Sequence, residues 1–160
     1  AICNMDFHIV EVTLDEGSIV RWRPEIDRER RVAIYDLLEQ NYFAPASGLL
    51  GPYKLHLEIQ DSRLVFNIKS THSGDVTESV FLPFSGFRRV IKDYFTVCET
   101  YYEAIKHSPP QRIEALDMGR RSLHDEGSEL LLERLKGKID IDFSTARRLF
   151  TLLCVVQMRG

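Results

Sequence analysis

The chain has 160 residues, of which 44% are hydrophobic and 28% are charged. These proportions are typical of a globular domain and unlike those of a disordered or membrane-embedded chain. The formal net charge is −3, from 21 basic and 24 acidic residues. Because a broad nucleic-acid-binding surface would be strongly basic, this balance argues against nucleic acid as a partner.

Chain length also bounds the number of domains. A chain of this size lies within the range of one domain and buries roughly 70% of the surface that it exposes when unfolded. We find no linker, internal repeat or low-complexity run that would divide it. We therefore predict a single domain over residues 1–160, with frayed ends at 1–6 and 158–160.

Cysteine usage and apolar runs indicate the compartment. Cys3, Cys98 and Cys154 are odd in number and widely spaced, which favours free thiols in a reducing compartment. The start of the chain is acidic and lacks the features of a signal peptide. The longest nearly apolar run, 149–156, is far shorter than the ~20 residues that a bilayer requires. We expect a cytoplasmic protein with no membrane partner, and core positions for Cys98 and Cys154.

A strand and a helix are predicted first along the chain. Residues 7–14 alternate in hydrophobicity, with Val10 and Val12 on the predicted inner face. Pro24 suits the first turn of a helix, where its missing N–H leaves no hydrogen bond unmade. Apolar side chains then recur at helical spacing as far as Asn41, which predicts an amphipathic helix.

The next segment alternates with a period of two, as half-buried strands do. After a loop predicted at 44–51, residues 53–59 and 64–68 predict two strands joined by a turn at Asp61-Ser62, and residues 76–82 predict a third. Consecutive strands joined by short turns pair in an antiparallel manner. We therefore predict an antiparallel meander with one solvated face.

Helical spacing replaces alternation in the second half of the chain. It predicts one helix over 87–105 and another over 111–135. The second helix is predicted to begin with a capping box formed by Ser108 and Gln111 and to end at Gly137.

Two shorter elements are predicted at the end of the chain. Residues 138–141 predict a short edge strand, and Asp142 or Ser144 is expected to cap a last helix. Strands therefore cluster early and helices late. This order favours an α+β fold, in which an antiparallel β-meander in the N-terminal half packs against helices concentrated in the C-terminal half.

The densest chemistry lies in the predicted helix over 111–135. If this helix continues through Gly119 and Gly127, several of its polar residues fall on one stripe. These residues are Glu114, Asp117, Arg121, His124 and Ser128. Such a stripe can bind an anion, hold a metal or perform acid–base chemistry. The simpler interpretation is a solvated helix face in which Asp117 pairs with Arg121.

Arg120 separates these interpretations. It falls on the apolar side of the helix between Leu116 and Leu123. A half-buried arginine requires a carboxylate, a carbonyl or a bound anion to offset its desolvation. Pairing with a carboxylate of its own chain would make the stretch structural, whereas a polar hollow beside His124 would make it a site.

Four Arg-Arg pairs occur in the chain, at 30–31, 88–89, 120–121 and 147–148. Neighbouring side chains on a helix point about 100° apart, so one arginine of each pair can face inward. Convergence of the inward arginines would form a pocket for phosphate or carboxylate, and otherwise they would form salt bridges between helices. The predicted ligand-binding residues are Arg88, Arg120, Arg121, Arg147 and Ser128.

No sequence motif in the chain indicates a particular reaction or cofactor. Phosphate-binding and dinucleotide-binding glycine loops, the nucleophile elbow and paired C-x-x-C spacings are absent, and the five histidines are scattered. We therefore predict no cofactor and no metal.

Three hypotheses for the function follow. The first is a non-enzymatic binding or regulatory module, with an anionic small molecule or an acidic protein as partner. The second is a small enzyme in which Glu114, Asp117 and His124 act as acid, base or metal ligands on a phosphorylated or carboxylate substrate. The third is a purely structural role, in which the stripe is an interface of a homo-oligomer and Arg120 pairs with a carboxylate of the same chain or across a two-fold axis.

Several strings in the chain resemble an uncharacterised bacterial family, number 0262 in the UPF series. These strings cover residues 117–131, 142–150, 87–95 and 34–41. The likeness extends from about Val12 to Val156. The family is known from alphaproteobacteria and has no established activity, ligand or catalytic residue. The resemblance therefore implies a single-domain cytoplasmic protein and implies no mechanism.

Overall fold

The computed structural model describes residues 7–15, 24–72, 74 and 76–157. The predicted frayed ends and Cys3 lie outside these residues. The elements, in chain order, are β1 (Ile9–Leu14), α1 (Pro24–Glu39), β2 (Phe43–Pro45), β3 (Tyr53–Gln60), β4 (Arg63–Ser70), β5 (Thr77–Pro83), a 3-10 turn (Phe84–Phe87), α2 (Arg88–His107), α3 (Pro110–Leu135), β6 (Ile139–Ile141) and α4 (Phe143–Gln157).

Four strands form a mixed sheet in the order β1-β3-β4-β5. The predicted meander is confirmed for β3, β4 and β5, which pair antiparallel. β1 adds a parallel edge, with Val12 opposite Leu55. With helices concentrated in the second half of the chain, the α+β fold class is also confirmed.

The turn between β3 and β4 lies at the predicted residues. Asp61 and Ser62 both have positive φ angles, 53° and 60°, and Gln60 pairs with Arg63 across them. Two consecutive residues with positive φ form the hairpin turn whose twist matches that of the flanking strands. The local signal was therefore sufficient to locate the turn.

The face assignment of β1 was wrong at its start. Ile9 is fully buried, whereas Val10 is 43% exposed. The register with β3 shifts between Ile9 and Glu11, as in a β-bulge, and an extra residue reverses the alternation of faces. Beyond the shift the prediction is confirmed, because Val12 is buried.

A second, two-stranded sheet corrects the predicted loop at 44–51. β2 and β6 pair antiparallel, with Ala44 opposite Asp140. β6 itself lies within the predicted edge strand at 138–141. A strand of three residues carries too little alternation to be recognised without its distant partner.

The helix ends agree only in part with the predicted caps. Asp142 caps α4, because its Oδ1 accepts a hydrogen bond from the Thr145 N–H at 2.8 Å. The predicted capping box at Ser108 is wrong, since Pro109 occupies the N-cap position of α3 without a side-chain hydrogen bond. Instead the Ser108 N–H closes α2 by donating to the carbonyl of Ala104 at 2.8 Å.

The core lies between the inner face of the sheet and the helices, with α4 at its centre. Nine of the fifteen residues of α4 are buried, and this helix packs against α1, α3 and β3. Cys98 and Cys154 are buried free thiols, which confirms their predicted core positions. Burial raises the pKa of Cys98 to about 12, so its thiol stays protonated at neutral pH.

α3 continues without a break through both of its glycines. A Cβ atom at Gly127 would overlap the ring of Phe150 on α4, whereas one at Gly119 would lie 3.7 Å from Cγ2 of Val97, an ordinary contact. Gly127 therefore lets α3 and α4 approach closely, and Gly119 has no such packing role.

Gly127→Ala is expected to lower the free energy of unfolding by about 3 kcal/mol, because Phe150 must move to admit the methyl group. Gly119→Ala is the matched control. It is expected to raise stability by up to ~1 kcal/mol through helix propensity. Urea unfolding of both variants measures the difference, and equal effects of the two substitutions would contradict the assignment.

Candidate functional site

A cavity of about 640 Å³ opens between α1, α3 and α4, and Tyr94 of α2 contributes to its wall. Five arginines line it, together with two carboxylates and one histidine. The arginines are Arg28, Arg120, Arg121, Arg147 and Arg148. We refer to this candidate site as the arginine cavity.

Helical spacing explains how each helix supplies one side of the cavity. On α3, Arg120 and His124 are one turn apart, and on α4, Arg147 and Thr151 are one turn apart. Residues at this spacing share a face of a helix. The arginines of two predicted pairs, 120–121 and 147–148, therefore meet across the junction of α3 and α4.

Arg120 pairs with a carboxylate and also lines the hollow. Its Nη2 donates to Oδ1 of Asp117 at 2.6 Å, and its guanidinium lies over the ring of Tyr101 at 5.1 Å from the centroid. Its side chain is 24% exposed, and its buried Nε–H has no hydrogen-bond partner among the described residues. Arg120 thus pairs with a carboxylate of its own chain and also borders the cavity beside His124.

Electrostatics keep Arg120 charged despite its partial burial. Desolvation acts to lower the pKa of the guanidinium, but Asp117 and the phenol of Tyr94 outweigh it, so the pKa is raised. Asp117 also contacts Nη2 of Arg121 at 2.8 Å. The hydrogen bond from Arg120 is the largest cause that lowers the pKa of Asp117, whose carboxylate therefore orients two cavity arginines.

Ion pairs between helices hold the arginines of α4. Arg147 bonds Asp125 of α3, and Arg148 lies 3.7 Å from Asp36 of α1. These pairs fix the guanidinium groups at the wall but use only part of their donors, since each guanidinium carries five N–H groups.

His124 is 8% exposed and packs between aromatic rings of α2 and α4. A hydrogen bond of 2.7 Å joins its Nε2 to the hydroxyl of Thr151. Because that hydroxyl donates to the carbonyl of Arg147, Nε2–H is the donor to Thr151 and Nδ1 is left as an acceptor. Nδ1 is buried and has no partner within the described part of the chain.

The surroundings of His124 oppose its protonation. Burial is the largest cause, followed by the positive charge of Arg147, and together with Arg120 and Arg148 they lower the pKa of His124 to about 4. The negative charge of Asp125 offsets this only in part. The imidazole is therefore neutral at physiological pH.

The remaining predicted site residues lie elsewhere. Glu114 is exposed and is not part of the cavity wall. Ser128 is fully buried, and its hydroxyl donates to the carbonyl of His124 at 2.7 Å. Arg88 lies at a separate hollow, with Nη2 3.3 Å from the hydroxyl of Ser62.

The single polar stripe on α3 is also corrected. The face that carries Glu114 is exposed at the start of the helix, and the same face is buried at His124 and Ser128. The reason is that α3 packs closely against α4 at Gly127 and Phe150, whereas Glu114 on the same face stays exposed. The polar residues therefore share one face of the helix, but some of them are exposed and others are buried.

Sequence reasoning missed the contribution of α1. Arg28, Glu29 and Asp36 line the cavity and recur at helical spacing. Their charges were visible in the sequence, but the helix face that meets α4 depends on packing. Arg30 and Arg31, the pair noted on this helix, instead contact Asp27 of the same helix.

Across residues 7–15, 24–72, 74 and 76–157, no three histidine, cysteine, aspartate or glutamate side chains come together so that they could hold a metal ion. Within the same part of the chain, no helix combines the length and hydropathy needed to cross a membrane.

Fold and site together define an α+β protein whose helices surround an arginine-lined cavity. The family model described as "Uncharacterised protein family (UPF0262)" matches residues 6–159. The chain therefore belongs to this family, as the resemblance predicted.

Individual relatives agree with this membership. A UPF0262 protein of Rhizobium etli is 53% identical over 155 residues, which cover 97% of this chain and 98% of that protein. A UPF0262 protein of Agrobacterium fabrum is 54% identical with the same coverage. One from Paramagnetospirillum magneticum is 53% identical over 95% of this chain and 96% of that protein. No solved structure matches the chain.

The lowered pKa of His124 predicts a loss of stability in mild acid. Between its ordinary pKa of 6.5 and its pKa of about 4 in the fold, the unfolded chain binds a proton that the folded chain does not. The free energy of unfolding should therefore fall as pH decreases from about 6.5 to 4, by up to roughly 3 kcal/mol from this residue.

Urea unfolding at several pH values tests this, since His124→Gln removes the ionisable group and should flatten the dependence in that window. NMR titration of the His124 imidazole gives a direct measurement. A midpoint near the ordinary value, or an unchanged slope in the variant, would contradict the prediction.

Proposed function

We propose that this protein is a non-enzymatic binding module that holds an anionic small molecule, bearing phosphate or carboxylate, in the arginine cavity. The observation that carries the proposal is that five arginines from three helices line one cavity of about 640 Å³. Volumes of this order are typical of sites for small ligands and cofactors. For this reason we favour a small molecule over an acidic protein as the source of the anionic group.

The state of the guanidinium groups supports an anionic ligand. Arg28 forms no ion pair with the described residues, and Arg120 has a buried Nε–H that lacks a partner among them. Guanidinium groups bind carboxylate and phosphate through paired N–H donors. Their orientation by Asp117, Asp125 and Asp36 reduces the entropy that binding would otherwise lose.

The candidate acid–base residues favour binding over catalysis. His124 has a pKa of about 4, which makes it a weak base at neutral pH. Asp117 already accepts bonds from two arginines, and Glu114 lies outside the cavity wall. These three side chains therefore do not form one reactive centre, and we do not favour the enzyme hypothesis.

Stabilisation by anions tests the proposal. Phosphate, pyrophosphate and citrate are the probes, and at a hundred times its dissociation constant a ligand adds about 2.7 kcal/mol to the free energy of unfolding. For a chain of this size we expect a rise in Tm of roughly 5 to 10 °C for at least one probe. Added sodium chloride should weaken the effect because it screens charge.

A substitution locates the binding. Arg148→Gln removes a cavity charge whose ion pair with Asp36 is long, at 3.7 Å, so the fold should tolerate it. We expect a loss of affinity of about tenfold by calorimetry, because a hydrogen bond to a charged group contributes ~1.5 kcal/mol or more.

The matched control is Arg89→Gln, which removes an arginine paired with Asp93 and Glu126 outside the cavity. It should leave the affinity unchanged. If no probe stabilises the protein, or if both variants weaken binding equally, the arginine cavity is not an anion site.

A further inference from the structure

Two carboxylates line the arginine cavity, and both come from α1. Asp36 lies 3.7 Å from Arg148 and so has an arginine partner. Glu29 forms no ion pair with any arginine that the structure describes. A carboxylate that stays unpaired beside five arginines is the feature that the proposed anion site does not explain.

A tyrosine from α2 fixes the position of Glu29. The hydroxyl of Tyr102 donates to Oε1 of Glu29 at 2.6 Å. Burial is the largest cause that raises the pKa of Tyr102, and Glu29 raises it further, so the phenol keeps its proton and remains the donor. Oε2 of Glu29 has no hydrogen bond or ion pair with the described residues, and the side chain is only partly buried.

The two carboxylates lie at different positions along α1 and contact different helices. Glu29 and Asp36 are seven residues apart, which corresponds to two turns, or about 10 Å, along α1. Tyr102 of α2 contacts the first and Arg148 of α4 contacts the second. The cavity therefore has an acceptor, Glu29, held by α2, and guanidinium groups on α4, one of which lies beside Asp36.

The effects of these charges on the pKa values of His124 and Tyr102 agree with this arrangement. Arg147, Arg120 and Arg148 all lower the pKa of His124, so positive charge surrounds this part of the cavity wall. Glu29 raises the pKa of Tyr102 and Arg120 lowers it, and the guanidinium of Arg120 lies over the neighbouring Tyr101 ring, so Arg120 is close to α2 as well as to His124. The electrostatic potential within the cavity is therefore more negative beside Glu29 and more positive beside Arg148.

We propose that the ligand is dipolar: its phosphate or carboxylate contacts Arg120, Arg147 and Arg148, and an ammonium group contacts Glu29. This inference rests on the proposed function, and it adds the chemical class of the ligand. A simple anion would gain from the arginines but would be repelled by Glu29. A molecule with a cationic end converts that repulsion into attraction, so Glu29 provides specificity.

The simplest alternative is that Glu29 only holds Tyr102 in place. Glu29→Gln separates the two roles, because the amide oxygen can still accept from the Tyr102 hydroxyl while the negative charge is removed. A purely structural role would be kept by this variant, and a role in recognising an ammonium group would be lost.

The test uses matched pairs of probes. Aminoethyl, aminobutyl and aminohexyl phosphate are compared by calorimetry with propyl, pentyl and heptyl phosphate, which replace the ammonium group with a methyl group of similar size. On the wild-type protein we expect the amino compound to bind more tightly by about fivefold at one chain length, the factor given by a partly buried ion pair of ~1 kcal/mol. The length at which the preference is largest measures the span from Glu29 to the arginines.

The variant and its control complete the experiment. Glu29→Gln should remove the preference without weakening the binding of the alkyl phosphates. Glu126→Gln, which changes an exposed glutamate paired with Arg89 outside the cavity, should keep the preference. If a variant fails to fold, the comparison of amino and alkyl phosphates on the wild-type protein still tests the inference.

Each outcome decides the inference. Equal affinities of the amino and alkyl phosphates, or a preference that persists in Glu29→Gln, overturns the dipolar ligand and leaves the anion site intact. If no phosphate of either series binds, the inference falls together with the proposed function. A preference in the wild type that is lost only in Glu29→Gln supports it.

Discussion

The close approach of α3 and α4 is the contact on which the arginine cavity depends. The ring of Phe150 lies where a side chain at position 127 would be, so only glycine permits this separation. His124 precedes Gly127 by one turn and Arg147 precedes Phe150 by one turn, which sets the two helices in register. The hydrogen bond from His124 to Thr151 and the ion pair of Arg147 with Asp125 follow from that register.

Carboxylates outside or at the edge of the cavity orient the arginines and occupy only part of their N–H donors. Asp117 and Asp125 each bond an arginine that also faces the cavity. A guanidinium presents its five donors in a plane, so a carboxylate on one edge leaves the other edge available. The neutral imidazole of His124 adds no further positive charge to this wall. The guanidinium groups are thus oriented by the protein itself, and for the ligand proposed above this orientation lowers the entropic cost of binding.

How far the sequence predicts this structure depends on the range of each interaction. The hairpin at Asp61 and Ser62 is local and was found, whereas the pairing of Phe43–Pro45 with Ile139–Ile141 joins segments far apart in the chain and was not. In the site, Arg120 and His124 stood out because α3 is dense in charge. Glu29 did not, because only packing decides which face of α1 meets the cavity.

A purely structural account of the arginine cavity meets a physical difficulty. Like charges repel, and partly buried ion pairs are often no more stabilising than apolar residues that fill the same volume. Stability alone would therefore favour apolar packing between α1 and α4, as in the rest of the core. The chain instead places five arginines around open volume and leaves the Nε–H of Arg120 buried without a partner among the described residues. A buried donor without a partner costs about 1 to 3 kcal/mol. The anionic ligand proposed above would offset the repulsion and supply an acceptor for this donor, which ion pairing within the chain does not do.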